Sequence, residues 1–352
     1  MKQHNEPTPV FASLSDTLNL AKLGTSGENI PGVSVFNAYS AIVWSSNINT
    51  VNLIKQMLMS LNFPESAINF MPLPASIPNY AFSQGYGETG DQFTMLMRTA
   101  LPNDQAELDA YLTEKPFFVG KIGPRYPIEN IPAPTIGYAS EVSGILELDK
   151  FKNLNVALSS LVSDLRKKYG LGYNLRSLPI EFVSKTGWDC ISGTSQCAGD
   201  NHDALYSYDT KYPVTVKNLE DFIIVAGVNH QKTGKAVYIN HSVYDTVHFA
   251  GIAGVADTLL TTGSALYHAG VVSSTDLKRI AYKNLYAYII SYDCKGKSYC
   301  LSIPAPTASN PVGLDPGAPF VIVGRSYMEP NTLVRPLPAE IVPHQVFSAT
   351  KK

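Results

Sequence analysis

Four cysteines in two local pairs place the tightest constraint on how this chain folds. Cys190 and Cys197 flank one short segment, and Cys294 and Cys300 flank another. Both intervening segments are rich in Gly, Ser or Lys, so the chain can reverse and bring each pair within bonding distance. The pattern predicts two local disulfides, each stabilising the fold by about 2–3 kcal/mol.

Two alternatives to the disulfides stay open. One is a four-thiolate zinc site, although six and five residues separate the paired cysteines and structural zinc sites favour gaps of about two to four. Buried free thiols are the other. Because disulfides persist outside the reducing cytosol, we expect a secreted protein or one of another oxidising compartment. Met1–Pro7 carries no apolar leader, so a secretory leader would have been removed.

The composition is that of a folded globular protein with few charges. Of the 352 residues, 45% are hydrophobic, 16% are charged and 20 are tyrosines. The formal net charge is -2, and no dense Lys/Arg cluster is present, which argues against nucleic-acid binding. No apolar run approaches the length of about 18 residues that a membrane span requires.

The first half opens with a predicted β-α-β unit. Val33–Trp44 and Ala67–Leu73 have the apolar character of strands, and Asn49–Leu61 has apolar residues spaced for one helical face. This order predicts a parallel crossover. The Gly-rich segment Gln84–Asp91 carries two acidic residues that would repel phosphate, so it is interpreted as a flexible loop or a lid.

Further elements are predicted up to the middle of the chain. Gln92–Ala100 and Gln105–Thr113 are expected to be helical, and Phe117–Ile122 is expected to be a strand. Leu154–Tyr169 has the clearest amphipathic pattern and predicts a helix.

The second half is richer in predicted strands, including two hairpins. The first joins Phe222–Val228 and Lys235–Tyr244 through a turn at Thr233-Gly234, and the second joins Leu285–Tyr292 and Tyr299–Ile303. The remaining predicted elements are strands at Leu178–Val183 and Phe320–Arg325, a helix at Gly251–Gly270, and a surface tail from Glu329 onward.

These elements together predict a mixed α/β fold. We expect an N-terminal α/β lobe over residues 1–140 and a C-terminal α+β lobe over residues 141–352 that holds both cysteine loops. A single large domain is the alternative.

His230 is the leading candidate for a functional side chain. A two-residue turn at Thr233-Gly234 places it on the same face as the apolar residues Val228 and Ile239. A buried imidazole needs a partner and can serve as a general acid or base. A core histidine with satisfied hydrogen bonds is the alternative. The same register puts His241 about 13 Å from His230, which argues against a metal ion shared by this pair.

Asp200 and Asp203 are the candidate catalytic partners of the imidazole. They lie close together after the first cysteine loop, where a carboxylate could orient or assist His230. An ordinary Asx turn and a calcium site are the alternatives, although the spacing is not that of an EF-hand.

Three arginines and two polar residues complete the candidate site. Arg325, Arg125 and Arg98 lie within or beside apolar segments and would hold an anionic group of the substrate, with structural salt bridges as the alternative. Tyr238 and Asn229 would line the pocket.

The function expected from these residues is acid–base catalysis on a small, anionic or aromatic organic molecule. We expect a lyase, hydrolase or isomerase without an organic cofactor or a metal ion, because the known nucleophile, zinc and dinucleotide motifs are missing from the sequence. An extracellular protein that binds a sugar or aromatic ligand is the first alternative, and a structural or coat protein is the second. Asn240 begins a glycosylation sequon.

Overall fold

The structure, a computed structural model, describes most of the C-terminal half and parts of the N-terminal half. The residues described are 18–19, 22–26, 38–77, 80–81, 95, 97, 104–123, 129, 144–183, 203–248, 250–308 and 311–352. The fold is mixed α/β with a sheet-rich C-terminal half, as predicted. Contacts divide the chain into two units, Met1–Tyr138 with Lys185–Asn201 and Ala139–Ser184 with His202–Lys352.

The first unit contains the predicted β-α-β crossover. β1 (Ala41–Ser45) and β2 (Ile68–Pro72) pair in parallel, and α1 (Ile48–Ser60) connects them. The Asn47 side chain caps α1 by accepting from the backbone N–H groups of the first helical turn. This unit also contains a 3-10 turn at Glu65–Ala67, β3 (Ser76–Ile77) paired with β4 (Tyr80–Ala81), and α2 (Gln105–Glu114).

The predicted strand at Phe117–Ile122 is wrong. This segment follows Lys115, which has a left-handed backbone at the end of α2, and it joins no sheet of the described residues. Phe118 is 93% exposed, so an apolar run here lacks the neighbouring strand that would bury it. The Gly-rich loop Gln84–Asp91 lies outside the described residues, as does all but residues 95 and 97 of the predicted helix Gln92–Ala100.

Two five-stranded sheets are formed by the described residues of the second unit. The inner sheet has the order β12 (Cys300–Ser302), β11 (Leu285–Ser291), β8 (Phe222–Val228), β14 (Gln345–Lys351) and β5 (Tyr173–Leu178). The outer sheet has the order β10 (Gly251–Ala256), β9 (Tyr238–Asp245), β13 (Phe320–Tyr327), β7 (Ala204–Tyr208) and β6 (Glu181–Phe182). The helices are α3 (Glu147–Lys150), α4 (Leu154–Gly170), α5 (His230–Thr233), α6 (Thr262–Ala269), α7 (Lys278–Ala281) and a 3-10 turn at Pro338–Glu340.

The second unit is built in three layers. Apolar side chains of α4 and α6 pack against one face of the inner sheet, and the other face packs against the outer sheet. All seven residues of β8 are buried, which explains why its sequence is continuously apolar. Phe222 and Ile224 face the helices, whereas Ile223 and Val225 face the outer sheet. Each fully buried side chain of this type contributes about 1.5–3 kcal/mol.

The first predicted hairpin is wrong. β8 and β9 belong to different sheets, and between them the chain forms the short helix α5. The Asn229 side chain caps this helix by accepting from two backbone N–H groups, and Gly234 ends it with a φ of 75°. The Asn and Gly signals therefore cap a helical turn instead of forming a hairpin turn.

The second predicted hairpin is also wrong, although its disulfide is confirmed. β11 and β12 pair in parallel, with Ile289 opposite Cys300. A Cys294–Cys300 bond closes the loop between them, with a Cα–Cα distance of 5.6 Å. Cys190 and Cys197 lie outside the described residues.

Two more predictions in this half are corrected. The predicted helix Gly251–Gly270 is β10 followed by α6, with the small residues of the segment shared between the two elements. The tail from Glu329 is not confined to the surface, because β14 lies between β8 and β5 in the inner sheet.

Within the described residues, no helix has the length and apolarity to cross a membrane.

Candidate functional site

The strand register of the outer sheet brings polar side chains together on the face that packs against the inner sheet. Ser207 of β7 and His241 of β9 both pair with Gly324 of β13, so these three residues form one row across adjacent strands. Ser207 and His241 are buried toward the inner sheet. Because the residue between them has no side chain, the row contains a gap that a polar group can fill.

Asp209, directly after β7, fills this gap. Its carboxylate accepts a hydrogen bond from the Ser207 hydroxyl at 2.6 Å. A Cβ atom at Gly324 would lie 2.6 Å from Asp209 Oδ1 and 2.4 Å from Ser207 Oγ, so only glycine fits beneath the carboxylate.

The inner sheet provides the opposite wall of the site. Tyr286 of β11 is the register partner of Gly227 in β8, and His344 lies just before β14. A Cβ atom at Gly227 would lie 2.7 Å from the Cβ of His344 and 2.8 Å from the Tyr286 hydroxyl. A glycine on each sheet therefore makes room for the Asp209 cluster, which consists of Asp209, His241, Tyr286 and His344.

Hydrogen bonds fix the protons of the Asp209 cluster. His241 Nδ1 lies 2.5 Å from Asp209 Oδ2, and His241 Nε2 lies 2.5 Å from the Tyr286 hydroxyl oxygen. A carboxylate only accepts, so Nδ1–H donates to Asp209 and Nε2 accepts from the Tyr286 O–H. His344 Nε2 lies 2.7 Å from Asp209 Oδ1, yet it makes no hydrogen bond of acceptable geometry with any described residue.

The electrostatics of the cluster agree with this proton assignment. Burial alone would raise the pKa of Asp209, but the two neighbouring imidazoles, His344 first, outweigh burial and hold that pKa well below its usual range. Burial lowers the pKa of His241, and Asp209 offsets this only in part. Burial, together with the charges of Asp209 and Glu147, raises the pKa of Tyr286. The cluster is therefore a carboxylate beside a neutral imidazole and a neutral phenol.

A second carboxylate–imidazole pair lies next to this cluster. His230 Nδ1 is 2.9 Å from Glu147 Oε1, and both side chains are buried. Glu147 also accepts from the Thr233 hydroxyl at 2.5 Å and from the Val342 N–H at 2.9 Å. Burial alone would raise the pKa of Glu147, but the charge and hydrogen bond of His230 and these two donors together lower it. The ionised carboxylate requires that His230 Nδ1 carry the proton.

A small cavity connects the two groups of residues. Its volume is about 10 Å³, which matches one water molecule or one ion. The lining residues include Ser207, His230, His241, Tyr286 and His344. Glu147, which binds Nδ1 of the His230 ring, is not among them. Among the described residues, the His230 ring is hydrogen-bonded through Nδ1 alone.

A buried lysine lies close to these residues along the chain. Lys235 Nζ is 2.9 Å from a carboxylate oxygen of Glu329 and 2.9 Å from one of Glu340. It also donates to the Ile145 carbonyl at 2.7 Å. Lys235, Glu329 and Glu340 form the Lys235 cluster, which pairs charges that would otherwise be buried alone. Through Ile145 and Glu340, the cluster links the segment before α3 to the segment before β14.

The predicted site residues do not all come together. His230 and Arg325 both line the cavity, although the alternating burial of β13 places the Arg325 side chain on the outer, partly buried face of that strand. There its guanidinium stacks on Tyr206 and Tyr244. Tyr238 lies on this same outer face, where its hydroxyl accepts from Asn240.

Asn229 and Asp203 also lie outside the set of residues that line the cavity. The Asn229 side chain caps α5 and donates to the Leu260 carbonyl at 2.7 Å, so its amide is committed to the fold. Asp203 is buried directly before β7. Asp200, Arg98 and Arg125 lie outside the described residues.

Sequence reasoning missed Glu147, Asp209, Tyr286 and His344. Each stands far along the chain from its partner; Asp209 and His344, for example, are 135 residues apart. One local signal was present: Gly227 and Gly324 interrupt otherwise apolar strands, and such glycines mark a close approach of other groups.

Comparisons with known proteins add no further information on the site. No family model matches this sequence, and neither a curated protein nor a solved structure shows significant similarity to it. The functional argument therefore depends on the chemistry of the site.

Proposed function

We propose that this chain is a secreted hydrolase that uses acid–base chemistry on water and needs no organic cofactor. One observation carries the proposal: a buried carboxylate binds His230 at Nδ1, which leaves Nε2 to accept a proton, and His230 lines a cavity of one-water size. An imidazole held in this way is a general base whose proton position is fixed by its partner.

The reaction follows from these contacts. His230 Nε2 removes a proton from water as the water oxygen bonds to the electrophilic carbon of the substrate. Glu147 stabilises the imidazolium that forms, as a carboxylate does beside a catalytic histidine. The imidazolium then returns the proton to the leaving group as its bond to the carbon breaks. Since the cavity admits only a group of water size, the bulk of the substrate would remain outside it.

The secretory part of the proposal is supported by the covalent chemistry of the chain. The Cys294–Cys300 disulfide is of the kind that persists in oxidising compartments.

Turnover of a substrate panel tests the proposal. Chromogenic esters, amides, phosphoesters and glycosides would be offered to the wild type, to His230→Gln and to His248→Gln. His248 is the matched control because its side chain is 77% exposed and outside the cavity lining. We expect His230→Gln to lower kcat by about 10²–10⁴-fold, with the control unchanged. Equal turnover by His230→Gln and the wild type, or no turnover on any class, would contradict the proposal.

The outer face of the outer sheet favours a second candidate function, the binding of a small aromatic carboxylate. Arg325 stacks on the rings of Tyr206 and Tyr244 at 5.2 and 5.3 Å, and its buried Nε has no hydrogen-bond partner among the described residues. Its Nη1 donates to Asn240 and its Nη2 donates to the Tyr244 hydroxyl, so Nε is the guanidinium nitrogen left for a carboxylate oxygen. A panel without turnover, together with saturable benzoate binding that Arg325→Gln abolishes, would support this second function over the first.

A further inference from the structure

We propose that Asp209, His241 and His344 form a binding site for one divalent transition-metal ion. Each residue offers one ligand atom, and the three atoms lie within 4.8 Å of one another. All three side chains are buried between the two sheets. The inference goes beyond the proposed hydrolase function, because it concerns residues other than the His230–Glu147 pair.

The donor set defines the class of metal. Two imidazoles and one carboxylate suit zinc or iron(II), whereas calcium and magnesium prefer oxygen ligands alone. Three protein ligands also leave a coordination position for water, as in catalytic zinc sites. Two of the three ligands, His241 and His344, line the adjoining cavity, which has room for one water molecule.

His344 provides an independent reason to expect an ion. Its side chain is 7% exposed, and its Nε2 is buried without a hydrogen bond of acceptable geometry to any described residue. Its contact with Asp209 is an ion pair without good hydrogen-bond geometry, so this buried nitrogen is only partly satisfied. Coordination of a metal ion by Nε2 would satisfy it fully.

Metal binding requires the ligand atoms to move apart, and a supporting contact for one ligand is already in place. Ligand atoms around a tetrahedral zinc ion lie about 3.4 Å apart, whereas Asp209 now lies 2.5 Å from His241 and 2.7 Å from His344. The side chains would therefore separate by about 1 Å on loading. With Nδ1 bound to metal, His241 would carry its proton on Nε2 and donate it to the Tyr286 oxygen, the usual arrangement around a ligating histidine.

Metal titration of the whole chain tests this inference without reference to turnover. Chelator-treated protein would be titrated with Co²⁺, monitored by visible absorption, and then with Zn²⁺ in competition. We expect one equivalent to bind to the wild type, and His344→Gln to weaken binding by at least about 100-fold. His248→Gln is the control and should bind like the wild type, since His248 is largely exposed. No cobalt spectrum from the wild type, or equal affinity of His344→Gln, would overturn the inference.

A second measurement covers the case in which His344→Gln does not fold. In wild-type protein labelled with ¹⁵N-histidine, Zn²⁺ should shift the ring signals of His241 and His344 and leave that of the exposed His248 in place. Shifts confined to other histidines would refute the site. Because neither test depends on a hydrolytic role of His230, a failure here leaves the hydrolase proposal intact, and the reverse also holds.

Discussion

At the scale of single residues, two glycines decide whether a polar cluster fits between the sheets. Gly324 leaves the space that the Asp209 carboxylate occupies, and Gly227 leaves the space for Tyr286 and His344. The reason is steric, since neither residue has a positive φ. A methyl group at either position would contact groups held by several hydrogen bonds or by a backbone strand.

Gly324→Ala is expected to destabilise the protein. The new Cβ would lie 2.6 Å from Asp209 Oδ1 and would displace a carboxylate that two imidazoles hold in place. We expect the free energy of unfolding to fall by about 1–3 kcal/mol, measured by urea denaturation. Gly170→Ala is the control, because its Cβ would meet nothing within 4 Å and alanine favours a helix. Equal stability of the two variants would contradict the steric account.

The burial of the His230 side chain was predicted correctly, but for a wrong reason. The sequence indicated a buried imidazole, and His230 is 4% exposed. The argument assumed a hairpin at Thr233-Gly234, whereas the Asn229 cap starts a helical turn at that point. The true partner, Glu147, lies 83 residues away, a separation that no local pattern encodes.

At the scale of elements, local patterns predicted what local forces determine. The β-α-β unit, the helix α4 and the strand β8 follow from periodicity and caps, and all three occur near their predicted bounds. Strand pairing depends on distant segments instead. The parallel pairing of β11 with β12 and the insertion of β14 between β8 and β5 therefore could not be predicted from the sequence.

The contact between α6 and α4 predicts acid sensitivity. His268 of α6 is buried, accepts a hydrogen bond from the Tyr169 hydroxyl and donates to the Tyr299 carbonyl. Burial lowers the pKa of His268 from 6.5 to about 4. Between these two pH values, the imidazole is protonated in the unfolded chain and neutral in the folded chain. Stability is therefore complete above pH 6.5 and is lost as the pH falls toward 4.

Denaturation of His268→Gln at several pH values measures this contribution. In the wild type, protonation of His268 should lower the free energy of unfolding by up to about 3 kcal/mol as the pH falls. The variant should lose correspondingly less stability between neutral and acidic pH. Parallel stability curves for the two proteins would show that His268 has no such role.

At the scale of the whole molecule, the second unit contains several buried ionisable groups. Asp209, Glu147 and Lys235 are all buried, each with partners in ion-pair distance. Apolar residues of similar volume would stabilise such an interior at least as well. Departures of this kind from simple packing concentrate at functional sites, which is consistent with the proposed location of the site in this unit.

The proton on the His230 ring tests the central claim most directly. Ring ¹⁵N shifts of histidine-labelled protein at mildly alkaline pH, assigned with His230→Gln, report which nitrogen carries the proton. Our account predicts a proton on Nδ1, donated to Glu147, and a bare Nε2. A proton on Nε2 would contradict it, because the ring could then not accept a proton from water.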